Sequence, residues 1–163
     1  MNNTHYLEKW LRDAYAMEKT AIEILEKQVN QMNDYPEARR RISQHLEETK
    51  WQAQKVEDCL KILETSPSAL KDTMGKISGT MSALMNSMSE DETLKNFISS
   101  CAFENMEVAS YRSLVAAAQE CGEDQIRLIC GQILQQEEEM AQWCTDHIQP
   151  ATMDFLAHHG VVA

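Results

Sequence analysis

A carboxylate stands where this chain calls for an apolar residue, and that position constrains every fold open to it. Leu7 to Met32 reads as one long amphipathic helix. Leu7, Leu11, Ala14, Ala21, Leu25 and Met32 recur at the three-and-four spacing of a buried stripe, and Glu18 completes the stripe between Ala14 and Ala21. A carboxylate on a packed face has to be protonated, paired with a cation or bound to a metal, because an isolated charge away from water is too costly. Taken alone, Glu18 reads equally as an acid salt-bridged at the stripe edge or as a ligand. Its neighbours on other helices have to decide.

The anomaly recurs along the chain. After a short turn, a second helix over about residues 36–64 opens on Pro36, which suits a first helical position, and packs through Ile42, His45, Leu46, Thr49, Gln52, Ala53, Val56, Cys59, Leu60 and Leu63. Glu48 lies one turn beyond His45 and shares its side of the helix. A third helix over about 91–121 carries the stripe Leu94, Phe97, Cys101, Val108, Tyr111, Val115 and Ala118; Glu104 fills its gap and Glu107 follows one turn later. Gly122 ends it. A fourth helix over about 123–149 uses Ile126, Cys130, Ile133, Met140, Cys144 and Ile148, with Glu137 completing the stripe. Pro150 is expected to stop this helix, and Phe155 and Leu156 to mark a short terminal one, with His158 and His159 at the surface.

Between the two helical pairs, Leu70, Met74, Ile77, Met81, Leu84, Met85 and Met88 keep helical spacing and read as a long connection with methionine filling core gaps. The interval from Glu18 to Glu48 equals that from Glu107 to Glu137, and AMEKTA beside NMEVAS loosely repeats the local text. With only five glycines and three prolines to punctuate 163 residues, the expectation is an all-α, single-domain four-helix bundle over 1–163. Its hairpins are joined by one long crossover.

The net charge of -11 argues against a phosphate-backbone surface, so no nucleic-acid partner is expected. No stretch approaches a membrane span and MNNTHYLEKW lacks an apolar signal core, which together point to the cytoplasm and no membrane. The odd set Cys59, Cys101, Cys121, Cys130 and Cys144 has no short paired spacing and reads as buried thiols in a reducing compartment.

Inward carboxylates at one level of a bundle raise one another's pKa unless cations neutralise them. The candidate ligands are Glu18, His45, Glu48, Glu104, Glu107 and Glu137. Such a set suits two iron ions, or manganese or another divalent metal, in an oxygen-rich redox site. The usual dimetal arrangement has one Glu on each of two helices and Glu-x-x-His on the other two. Here the second helix has His45 before Glu48 and Trp51 where the later histidine would sit. The fourth has Met140 at that place and no histidine until His147. Tyr15 and Tyr111, one turn from Glu18 and Glu107, read as packing or as groups that orient ligands.

LRDAYAMEKTAIEIL, with YPEARRRISQHLEETK, FENMEVASYRSLVAAA and EEMAQW, resembles the YciE/YciF-type family of small bacterial stress-associated ferritin-like proteins across essentially the whole chain. The resemblance implies a ferritin-like bundle with an added C-terminal helix, a homodimer, and a di-iron or related dimetal centre in each subunit. The internal carboxylates it implies are Glu18, Glu48, Glu104, Glu107 and Glu137, with His45 beside Glu48. The reading is a dimetal carboxylate protein of the stress response that reacts with oxygen or peroxide. The alternative is a metal-free helical dimer with a structural or interaction role, for which an exposed Trp10, Trp51 or Trp143 would supply contact surface.

Overall fold

The computed structural model describes residues 3–33, 35–67 and 91–159. Within them lie helices α1 (Thr4–Gln31), α2 (Pro36–Ile62), α3 (Glu92–Cys121) and α4 (Asp124–His159), and no strand among the described residues. The apolar segment Leu70 to Met88 and the tail from Gly160 lie outside them.

Side-chain pairings fix the directions of the helices. On α1 and α3, Gln28 meets Ser100 while Glu18 meets Tyr111, so the two run antiparallel. Gln52 reaches Glu137, and Cys59 reaches Cys130, so α2 and α4 are antiparallel as well. Each hairpin, α1 with α2 and α3 with α4, is antiparallel through its short connection. The backbones of α1 and α4, and those of α2 and α3, do not approach each other among the described residues, so those pairs sit on the diagonals. Helices α2 and α3 therefore run parallel, so the end of α2 and the start of α3 lie at opposite ends of the bundle. That is the topology of a bundle with one long crossover.

The ends of the helices explain where they stop. Thr65 N–H donates to the Leu60 carbonyl and Glu64 N–H to that of Lys61, closing α2 with Glu64 in the left-handed region at φ 55°. At the end of α3 the same pair of bonds runs from Glu123 to Ala118 and from Gly122 to Gln119, with glycine at the left-handed position, φ 75°. Beyond α2, Arg12 Nε donates to the Ser66 carbonyl at 3.0 Å and Thr65 Oγ1 to Glu8 Oε1 at 2.9 Å, tying the start of the crossover to α1.

Pro150 does not end α4. The helix runs on through it to His159, so the expected short C-terminal helix is present but continuous with the fourth. Proline costs one backbone hydrogen bond and presses on the preceding turn. Here its ring lies on an exposed face, and Thr152 Oγ1 donates to the Ile148 carbonyl at 2.8 Å in the turn that follows. His158 and His159 are exposed, as expected.

Burial follows the apolar stripes and splits the core in two. One cluster gathers residues such as Leu7, Leu11, Val56, Leu60, Tyr111, Leu114, Ile126 and Ile133; the other gathers Leu25, Ile42, Leu46, Cys101, Met140 and Cys144. Buried polar residues interrupt the apolar stripe of every helix near where the clusters meet: Glu18 on α1, His45 and Gln52 on α2, Glu104 and Glu107 on α3, and Glu137 on α4. Hydrophobic burial holds the bundle together on both sides of this layer. The layer itself works against folding unless its charges are compensated.

Candidate metal centre

Each helix contributes to the layer because the same stripe that buries its apolar residues turns these side chains inward. Glu18 comes from α1, His45 from α2, Glu104 and Glu107 from successive turns of α3, and Glu137 from α4. Exposure is 0% for Glu18 and Glu137, 1% for His45 and Glu107, and 3% for Glu104. One ligand atom from each of His45, Glu104, Glu107 and Glu137 lies within 4.8 Å of the others, which is the reach of a cation's coordination shell.

His45 is the hub. Its Nδ1 donates to Glu48 Oε2 at 3.0 Å, which leaves Nε2 facing Glu104 Oε2 at 3.2 Å and Glu137 Oε2 at 3.7 Å. A histidine whose outer nitrogen is held by a carboxylate is oriented to offer the inner one to a metal. Glu48 is half-buried and also accepts from Gln44 Nε2 at 2.8 Å and from Arg41 Nη1 at 3.4 Å. It reaches the cluster through His45 instead of joining it. Trp51, at the position of the usual later histidine, is exposed, and Met140 fills the corresponding place on α4 as an apolar side chain. Gln52, also buried, lies one turn beyond Glu48 on α2.

Two neutral donors complete the layer. Tyr111 Oη donates to Glu18 Oε1 across the α1–α3 interface, and Gln52 Nε2 donates to Glu137 Oε1 and, at 3.0 Å, to Gln136 Oε1. Against these, Glu18 Oε2 and both oxygens of Glu107 are buried with no donor, and Glu104 Oε2 and Glu137 Oε2 face no donor but the His45 ring nitrogen. Buried acceptors are almost always satisfied, so this concentration of bare oxygens beside one imidazole is what a cation would complete.

The electrostatics say the same. Burial pushes Glu18 up to about 8, with Tyr111 and His45 pulling down and Glu104 adding to the rise. Burial, then the charges of Glu137, Glu104 and Glu18, holds Glu107 well above the usual carboxylate range. Glu137 is raised by burial and Glu104, against the pull of His45. Burial would depress His45, but Glu104, Glu48 and Glu137 outweigh it and lift the imidazole to about 10. Tyr111 is raised by burial and by Glu18, so its phenol stays a proton donor. For Glu48, the hydrogen bonds from His45 and Gln44 and the charge of Arg41 outweigh the upward push of burial, and it is lowered. The layer thus holds protons in place of positive charge, and hard oxygen donors with one imidazole fit iron or manganese better than a soft metal.

Sequence reading named each of these residues as a candidate. It attached no role to Gln52, whose signal was an amide on the packed stripe of α2. It also placed Tyr111 beside Glu107, whereas the phenol reaches across to Glu18. Removing that hydroxyl with Tyr111→Phe is expected to lower the unfolding free energy of the metal-free protein by about 1–3 kcal/mol, since a buried carboxyl loses its donor. Urea denaturation measures this, and a change below about 0.5 kcal/mol would mean that the bond contributes nothing.

The fold and this layer define a class: a four-helix bundle with a buried carboxylate and histidine cluster at its centre. Residues 2–157 match the family model described as Domain of unknown function (DUF892), and the chain belongs to that family. A solved protein from Xanthomonas campestris pv. campestris is 40% identical and superposes with a TM-score of 0.84 over 98% of this chain and 99% of its own. YcfI from Rhodopseudomonas palustris, described as a candidate structural protein, is 24% identical with a TM-score of 0.69 over 89% of this chain and 94% of its own. The stress protein YciF of E. coli, at 19% identity, has the same fold with a TM-score of 0.72 over 90% of this chain and 94% of its own. The YciE/YciF-type resemblance read from the sequence is borne out.

Proposed function

We propose that the chain is a dimetal carboxylate protein, with two iron or manganese ions held in the layer between α1, α2, α3 and α4. The observation that carries this reading is the set of buried oxygens on Glu18, Glu104, Glu107 and Glu137 that face one another with no donor but His45 Nε2. Glu104, Glu107, Glu137 and His45 would hold one ion, as their shared reach suggests. Glu18, whose charge is felt by Glu107 and Glu137, would extend the set toward a second. Glu48 would act through His45, fixing its ring. Two such ions supply redox equivalents for the reduction of oxygen or peroxide when bound. The apolar clusters on both sides keep bulk water from the layer, and Tyr111 and Gln52 hold the carboxylates in place.

Further elements of the reading are a homodimer, a cytoplasmic location and a place in the stress response. The last is supported by the printed description of the E. coli neighbour. No helix among the described residues is long and apolar enough to cross a membrane. Protein loaded anaerobically with ferrous iron is expected to consume hydrogen peroxide or oxygen in proportion to bound iron, read with an electrode. Consumption no faster than that of the same free iron would refute the turnover. A second reading, a metal-free structural or interaction protein, is favoured by the description of YcfI and by the exposure of Trp10 (41%) and Trp51 (37%).

A further inference from the structure

Four of the five cysteines meet in two couples, and α4 takes part in both. Cys59 of α2 and Cys130 of α4 are in thiol contact inside the larger apolar cluster; Cys101 of α3 and Cys144 of α4 are in thiol contact inside the smaller one. All are reduced. The couples differ in surroundings. Cys59, Cys130 and Cys144 are 0% exposed, whereas Cys101 is 5% exposed.

The couples also differ in what borders them. Cys101 lies one helical turn before Glu104 on the same face of α3 and so adjoins the polar layer, whereas Cys59 and Cys130 are enclosed by the larger apolar cluster. Contact with Cys144 pulls the Cys101 thiol below its ordinary value, against the upward push of burial and of the Glu104 charge. Cys144 and Cys130 are pushed up by their partner thiols and by burial. Nucleophilic attack needs a thiolate that the oxidant can reach. A small polar oxidant admitted to that layer meets Cys101 before it meets the thiols inside the larger apolar cluster.

We propose that Cys101 and Cys144 form a redox pair that hydrogen peroxide closes into a disulfide between α3 and α4. Cys101 sulfur attacks one peroxide oxygen, the O–O bond breaks, and Cys101 becomes a sulfenic acid with release of one water. Cys144 sulfur then attacks the sulfenic sulfur; its proton leaves with the hydroxyl as a second water. Two thiols lose two electrons and one peroxide gains them. No metal takes part, so the pair stands apart from the dimetal reading. Cys59 and Cys130 serve as packing, and Cys121, half-buried near the end of α3, packs against the same larger cluster.

The test treats the full-length protein with hydrogen peroxide in the presence of a chelator. The peroxide is then removed, and the chain is unfolded in an alkylating reagent without reductant and mapped by peptide mass spectrometry. The expected product is a Cys101–Cys144 linked peptide, at least about tenfold more abundant than any Cys59–Cys130 link, and reversed by dithiothreitol. In a Cys144→Ser variant, Cys101 should stop at the sulfenic acid and be trapped by dimedone. Should that variant fail to fold, the wild-type map decides alone. Full alkylation of Cys101 and Cys144 after treatment would overturn the proposal, as would linkage of Cys59 with Cys130 to the same extent.

Discussion

Replacing Glu107 by leucine is expected to raise the unfolding free energy of the metal-free protein by about 1–4 kcal/mol while removing most of its metal affinity. Glu107 is 1% exposed and neither of its oxygens has a partner. Without a cation, burying this group costs desolvation or the uptake of a proton, and its carboxylate neighbours Glu137, Glu104 and Glu18 oppose its charge. Leucine of similar size removes that cost and joins the apolar clusters on either side. A residue that serves only the fold gives the opposite sign, because truncating or altering a well-used core group destabilises. Urea denaturation of the chelated protein measures the change. A Glu107→Leu protein less stable than the parent would show that the carboxylate contributes to folding without metal.

The metal-free protein is expected to lose stability as the pH rises from about 5.5 to 8.5, with a fall in unfolding temperature of about 5 °C or more, and bound metal is expected to reverse much of that loss. Glu18 is raised to about 8 and His45 to about 10 in the folded chain. A group whose folded pKa is raised contributes stability that is complete below its unfolded value, about 4.3 for Glu and 6.5 for His, and that is lost as pH climbs through the folded value. Glu107 and Glu137 are shifted in the same direction. The lowered acids Glu8, Glu48 and Asp58 act oppositely, but their window lies below the ordinary carboxylate range, so they do not offset the trend. Metal binding needs deprotonated carboxylates and a free His45 nitrogen, so it releases protons and stabilises more at high pH. Thermal unfolding at the two pH values, with and without ferrous iron or manganese, tests both halves. A metal-free protein that gains stability between them would contradict the assignment.

Much of this was legible in the residues. The α1 stripe from Leu7 to Leu25, with Glu18 inside it, is buried as its spacing dictates, and so is the α2 stripe from Ile42 to Leu60. Helix α3 was read less well. Val108 was placed on the stripe but is half-buried, while Phe103 and Leu114, which were left off it, are buried. That helix turns two carboxylates inward at i and i+3 and packs against both α1 and α4, so its buried arc is too broad for a single apolar stripe to locate. Pro150 misled for a related reason: a proline whose ring faces solvent costs one hydrogen bond, which the packing of a long helix can absorb. Pairings between helices could not be read from local spacing. Tyr111 with Glu18 and Gln52 with Glu137 exist only because the crossover makes α1 and α3 neighbours and α2 and α4 neighbours.

Metal content tests the central claim most directly. The chain is purified without chelator or affinity tag and its metals are measured against protein concentration. The account predicts about two iron or manganese ions per chain, and their loss in a Glu18→Ala and Glu137→Ala double variant that keeps its helical circular dichroism. A folded parent protein that carries no metal, and takes up none when ferrous iron is added anaerobically, would contradict it.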